Sequence, residues 1–295
     1  MISILIPTYN YDISNLLIEI HKQASKANIK FEIICFDDKS TKYTVENNTT
    51  IDSLTYAKII ISEDNVGRTD ARQKLCNESI YNWLLFLDAD VMPKDDFFFQ
   101  NYAEQIKSEN DAIYGGITYV KKKPKNEFIL RWKYGRTCED VPAKIRNLKP
   151  YQVITSGCFL IRKAIFIKIN SKINTNRYGL DNYFASLLKQ NKVNVLHINN
   201  EVYHLGIENS ITYLKKSEDC ILTLLWLLNN DKIRENNNKL LSVFSSFKKL
   251  KLNYLMSAMY KLFSTHMSKN LVGSNPNIYL LQFYKLSYIC YKDLN

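Results

Sequence analysis

The sequence predicts an α/β fold in which a mixed, mostly parallel sheet carries helices on both faces. Three observations predict it. Short apolar runs alternate with segments of helical periodicity, the runs are nearly continuous as in strands buried on both faces, and several end in acidic or polar residues. Ligands of such sheets bind beyond the carboxyl ends of the strands, so function is expected there.

Ile2 to Ile6 reads as the first strand, stopped by Pro7 and opening into Thr8-Tyr9-Asn10-Tyr11-Asp12. Leu16, Leu17, Ile20 and Ala24 then fall at helical spacing, with Ser14 or Asn15 as the cap. Phe31 to Phe36 is the second strand and ends in Asp37-Asp38-Lys39-Ser40. Beyond a polar Asn/Thr-rich stretch, Ala57 to Ile61 gives a third strand, and Asn65-Val66-Gly67-Arg68 starts a helix through Ala71, Leu75 and Ile80. Trp83 to Leu87 follows, ending in Asp88-Ala89-Asp90 before Pro93 stops the ladder. Burying a carboxylate is costly unless it is compensated. Two of them at one strand tip therefore point to a hard cation and its phosphate partner.

Asp95 to Phe99 leads the next helix, and Ala112 to Val120 reads as one strand with Gly115-Gly116 inside it. The chain then turns basic between Lys121 and Lys149, with Trp132, Tyr134 and Tyr151 nearby. Val153 to Arg162 is a strand around Gly157, Gly179 to Phe184 opens a helix through Leu188, and Val193 to Ile198 is a late strand ahead of Val202-Tyr203-His204-Leu205-Gly206. From Ile211 the pattern is helical, and the tail after Asn236 mixes Lys with Leu, Phe and Tyr. A composition shift over residues 206 to 236 suggests a catalytic domain, 1–210, and a helical region, 211–295, that packs on the core or meets a membrane surface or partner.

A chain of 295 residues can bury a full core, and 46% hydrophobic with 23% charged residues argues against disorder. The net charge of +11 points to an anionic partner, whether nucleic acid, nucleotide or membrane surface. Six scattered cysteines show neither zinc-site spacing nor a disulfide framework, and read as reduced thiols of the cytoplasm. The sequence begins directly with a strand rather than a cleavable signal, and no run has the roughly 18 apolar residues of a membrane span. The expected location is the cytoplasm, with the inner face of the cell membrane as a candidate site of contact.

Taken together, Ile4-Leu5-Ile6-Pro7-Thr8-Tyr9-Asn10, Asp37-Asp38-Lys39-Ser40, Asn65-Val66-Gly67 with Ala71-Arg72, Asp88-Ala89-Asp90, Gly179-Leu180-Asp181 and His204 resemble, in order and spacing, the family 2 glycosyltransferases of the GT-A fold. The resemblance covers about residues 1 to 210, and the chain as a whole looks like bacterial members that build surface polysaccharides or lipid-linked glycans. It implies that Asp88 and Asp90, with Asp90 favoured as the direct ligand, hold Mn²⁺ or Mg²⁺ on the diphosphate of a nucleotide sugar, a UDP-sugar being the favoured donor. His204 matches a third metal ligand and would favour Mn²⁺. Pro7 and Tyr9, with Asp37 or Asp38, match positions that cradle base and ribose. Thr8, Asn65, Gly67 and Ala89 join the same donor site, and Arg68 or Arg72 meets the phosphates.

Asp181 matches the catalytic base of an inverting transfer, which takes the proton of the acceptor hydroxyl. Many relatives carry Glu-Asp there, whereas this chain has Leu180-Asp181. Aligning Phe184 with the downstream aromatic keeps Asp181 in the base position. Trp132, Arg136, Arg146 and Gly157 are the candidates for holding a glycan or lipid-linked acceptor. A nucleotidyltransferase on a similar sheet should carry a Gly-rich basic loop after the first strand, and residues 7–12 have neither Gly nor Lys. A non-enzymatic nucleic-acid or membrane-binding module would leave the acidic strand tips without purpose, so no nucleic-acid partner is expected.

Overall fold

The computed structural model describes residues 1–234 and 238–295; the end of the composition shift expected at 206–236 lies outside them. The chain forms two compact units. The first comprises Met1–Thr118, Asp140–Asn176 and Leu188–Gly206, and the second Tyr119–Glu139, Arg177–Leu187 and Ile207–Asn295.

The first unit is built on β1 (Ile2–Thr8), β2 (Phe31–Asp37), β3 (Ala57–Ile61), β4 (Trp83–Leu87), β5 (Val91–Pro93), β6 (Ala112–Tyr114), β7 (Ile117–Thr118), β8 (Cys158–Arg162), β9 (Val195–His197) and β10 (Val202–His204). Seven of these form one sheet in the order β3-β2-β1-β4-β8-β6-β9, and β5-β10-β7 form a small second sheet. In the large sheet β8 alone runs antiparallel to its neighbours β4 and β6. β1, β2 and β4 are almost wholly buried, as their continuous apolar runs require. The helix Ser14–Lys26 turns Leu16, Leu17, Ile20 and Ala24 inward. Neither expected cap acts at its start; instead Asp12 Oδ1 accepts from Ser14 N at 2.9 Å.

Local expectations change in several places; the strand expected over residues 153–162 begins only at Cys158. β1 runs through Pro7 to Thr8, because its pairing with β4 ends at Leu5 and a missing N–H beyond that point breaks no ladder on that side. The Asn/Thr-rich stretch holds a helix, Thr44–Asp52, which buries only Asn47 and Ile51 and so shows no apolar stripe. The helix after Gly67 ends at Glu78, leaving Ile80 exposed. The run Ala112 to Val120 is two strands in two different sheets. Gly116 adopts φ +98°, and a Cβ on Gly115 would lie 2.2 Å from the Asn200 carbonyl oxygen, so the glycine pair is where the chain changes sheets.

The second unit is helical. Its helices Ser210–Asn229, Lys239–Lys249 and Ile278–Leu294 each begin with an asparagine side chain capping first-turn amides, from Asn209, Asn238 and Asn277. Leu130, Leu214, Leu271 and Leu281 belong to its apolar core, with Tyr213 and Tyr284 among them. Among the described residues no helix is long and apolar enough to cross a membrane.

Candidate functional site

The carboxyl ends of β1, β2 and β4 are tied together by side chains from the loops that follow them. Asn10, with φ 51°, accepts from Thr41 N at 2.7 Å and Lys42 N at 3.1 Å through Oδ1, joining the loop after β1 to that after β2. Asp37 is buried and accepts from Ser40 N at 2.7 Å. Asp38 is also buried: its Oδ1 accepts from Val66 N at 2.7 Å and its Oδ2 from Gly67 N at 2.9 Å, while Asn65 Nδ2 donates to its carbonyl at 3.0 Å. The observed work of Asp38 is thus to pin the 65–67 loop. Pro7 and Thr8 lie within β1, Thr8 buried, and Tyr9 beyond them is exposed.

That loop sets the next contact. Gly67 has φ +82° and lies against Asn176, with no room for a Cβ, and it opens the helix Arg68–Glu78. Arg68 and Arg72, four residues apart, share a face of this helix. Arg72 Nη2 donates to Asp88 Oδ1 at 2.6 Å and to the Ser156 carbonyl at 2.7 Å, and its guanidinium lies over the Phe86 and Phe159 rings. Arg68 Nη2 donates to Asp88 Oδ2 and to Ser156 Oγ. Each Asp88 oxygen is therefore held by an arginine.

Asp90 has a different neighbour. β5, directly after Asp88-Ala89-Asp90, ends at the expected stop, Pro93, and pairs antiparallel with β10, which sets His204 opposite Val91. His204 Nε2 comes 3.3 Å from Asp90 Oδ2, and Leu205 N donates to the Asp90 carbonyl at 2.8 Å. A Cβ on Gly206 would fall 2.2 Å from Asp90 Oδ2, so the chain can wrap the carboxylate this closely only with glycine there. Burial opposes the charge of Asp90, but the hydrogen bond and charge of His204, with the charge of Arg68, outweigh it and hold the carboxyl below its ordinary range.

Tyr11, which sequence reasoning did not single out, belongs to this neighbourhood. Burial first, then the negative charges of Asp90 and Asp12, push its phenol pKa up, so it keeps its proton as a donor. Its one sequence signal was its place in the loop after β1. Ser156, the other residue missed, gave none.

The expected acceptor residues separate. Gly157 lies on the floor of the acid cluster: its carbonyl accepts from Asp88 N at 3.0 Å. Arg146, expected to meet the acceptor, is 2% exposed and donates to the carbonyls of Tyr114, Gly115, Val141 and Ile198 and to His197 Nδ1, so in this structure its donors serve the frame of the unit. In the second unit, Trp132 donates to the Val120 carbonyl at 2.8 Å and the exposed Arg136 stacks on it at 4.9 Å. Asp181, also in the second unit, opens the helix Asp181–Gln190 after Gly179, whose φ is +89°.

Among the described residues no group of three carboxylate, imidazole or thiol side chains is gathered for a metal. The pair that is gathered, Asp90 and His204, offers an oxygen and a nitrogen donor suited to Mn²⁺, provided a bound diphosphate supplies further oxygens. Asp88 would first have to leave its arginines. Away from these acids, a cleft of about 450 Å³ is lined by Phe36, Ile61, Asp64, Val66, Lys74 and Glu78 and includes none of the expected site residues.

A mostly parallel sheet of this order, with acids, arginines and a histidine beyond its strand ends, defines a glycosyltransferase fold of the GT-A type. Two solved structures with TM-scores above 0.5 show the same fold. A mannosyltransferase from Pyrobaculum calidifontis matches 99% of this chain and 86% of its own at 11% identity and a TM-score of 0.57. Glucosyl-3-phosphoglycerate synthase from Mycobacterium tuberculosis matches 80% and 81% at 15% identity and 0.52. For S. aureus TarS 1-349 the figures are 76% of this chain, 17% identity and 0.46, and the chain spans 65% of that structure's length. No curated protein sequence matches significantly. Residues 3–169, more than half of the chain, match the model of glycosyl transferase family 2. The chain belongs to that family of transferases.

Proposed function

We propose that the protein transfers a sugar from a nucleoside-diphosphate sugar, a UDP-sugar in the favoured case, to a hydroxyl of a glycan or lipid-linked acceptor in cell-surface polysaccharide synthesis. The observation that carries this reading is the Asp90–His204 pair beside the Arg68–Asp88–Arg72 clamp. The two arginines are a ready charge complement for phosphates. Asp90 and His204, with Asp88 when released, are the proposed ligands of a divalent ion, and such an ion supplies Lewis-acid neutralisation of the leaving diphosphate. The match to structures solved with GDP-Man and Mn²⁺, and with Mn²⁺, UDP and glucosyl-3-phosphoglycerate, supports this choice of donor and metal.

Asp181 is the proposed general base. It takes the acceptor hydroxyl proton as that oxygen bonds to the anomeric carbon, the bond from that carbon to the diphosphate breaks, and the anomeric configuration inverts. Family membership favours sugar transfer over nucleotidyl transfer and over a nucleic-acid-binding role. The test is release of nucleoside diphosphate from a panel of UDP- and GDP-sugars with Mn²⁺. Asp90→Ala should lower turnover at least about a hundredfold, and EDTA should abolish it. Wild-type turnover in EDTA, or in Asp90→Ala, would sink the metal assignment.

A further inference from the structure

The second unit carries a surface that sugar transfer does not use. Residues 236–292 contain eight lysines and no Asp, Glu or Arg. Within that stretch the helix Asn253–Leu271 buries Met256, Ser257, Met267 and Leu271 on one side. On the other, Tyr254, Leu255, Ala258, Lys261, Leu262 and Lys269 recur at helical spacing and are all exposed. The turn that precedes it adds Leu250 and Leu252 around Lys251. Leu262 is 70% exposed, Leu250 68% and Leu255 59%, an apolar stripe of a kind that soluble monomers seldom leave in water. The nearest C-terminal carboxylate, Asp293, is already paired with Lys248 at 2.9 Å.

We infer that this face docks flat on an anionic membrane surface. The leucines and Tyr254 would enter the boundary between headgroups and acyl chains, with Lys251, Lys261 and Lys269 reaching the anionic headgroups. No described helix can span a bilayer, so the contact is interfacial. Charge decides against a second copy as occupant: a two-fold partner would bring the same lysine rim toward itself with no carboxylate in the stretch to answer it. The inference does not rest on the proposed sugar transfer, since vesicle binding needs neither donor nor acceptor.

The test is co-sedimentation of the full chain with phosphatidylcholine vesicles, with and without phosphatidylglycerol. Binding should be at least about tenfold tighter to the anionic vesicles, since each lysine near the surface contributes about a fivefold factor, and it should weaken with salt. The double variant Leu255→Ser with Leu262→Ser should bind at least about tenfold more weakly with an unchanged melting temperature, because both side chains are exposed in the free protein. The triple variant Lys251→Gln, Lys261→Gln and Lys269→Gln should lose the preference for anionic lipid. A chain that stays in the supernatant with anionic vesicles at low salt overturns the inference. So does a wild-type dimer in sedimentation velocity that the leucine variant abolishes, since a second copy would then own the face.

Discussion

Replacing Arg146 with Met separates a structural cation from an acceptor-binding one. The guanidinium donates to Val141 O at 2.9 Å, Tyr114 O and Gly115 O at 3.0 Å each, and Ile198 O at 2.7 Å, and Nη1 reaches His197 Nδ1 at 2.7 Å. Methionine fills much of the volume and answers none of them. The Tyr114 and Gly115 carbonyls keep backbone donors in Ile198 N and Asn200 N, so two carbonyls, of Val141 and Ile198, lose their donor, and at about 1 to 2 kcal/mol each they come to about 2 to 4 kcal/mol, against a total stability of about 5 to 15 kcal/mol for a typical domain. The variant should be insoluble, or melt in urea at a far lower midpoint, and Arg146→Lys should fare little better because one ammonium cannot span the fork. Soluble yield and urea melts followed by circular dichroism provide the assay. If Arg146→Met folds with a wild-type midpoint and only its acceptor KM rises, the structural reading is refuted.

Three further outcomes follow from neighbouring contacts. Arg146 can only donate and the Pro150 carbonyl can only accept, so His197 is fixed as the neutral Nε2–H form; burial, aided by the Arg146 charge, lowers its pKa to about 4. The unfolded chain takes that proton at about 6.5. Between these values the unfolded state binds more protons, so stability should fall by about 3 kcal/mol as pH drops from about 6.5 to about 4. His197→Gln should flatten this fall in melts across that range, and an unchanged slope would remove His197 as its source. Gly206→Ala sets a Cβ 2.2 Å from Asp90 Oδ2; thermal shifts with Mn²⁺ and UDP should show donor affinity down at least about tenfold, and an unaltered shift would mean that Asp90 is not needed for binding. Gly179→Ala combines φ +89° with a Cβ 2.6 Å from Cys220 Sγ, which displaces the turn leading into Asp181. Its kcat should fall while the UDP thermal shift holds, and equal loss of both would show a general folding defect instead.

How much of this could be read from the chain depends on whether the cause was local. The strand Trp83–Leu87 is legible because all five residues are buried, and burial on both faces leaves a continuous apolar run. The helix Thr44–Asp52 is not, because it buries one polar and one apolar residue and has no stripe to detect. The break at Gly115-Gly116 was hidden inside an apolar run, since only the second sheet explains why the chain must turn there. Nothing in local periodicity groups residues 119–139 and 177–187 with the chain's last helices.

The same division runs through the candidate site. Residue types at strand ends mark where charge gathers, but the partner of each charge is set by nonlocal register, as when β5 and β10 carry His204 to Asp90. Two acids that look equivalent in Asp88-Ala89-Asp90 thereby become unequal. Asp88 has both oxygens on arginines, whereas Asp90 faces a histidine, whose ring nitrogen is itself a metal donor. If a divalent ion binds, it must displace one contact at Asp90–His204 but a pair of charge-assisted bonds at Asp88, so the ion should engage Asp90 first.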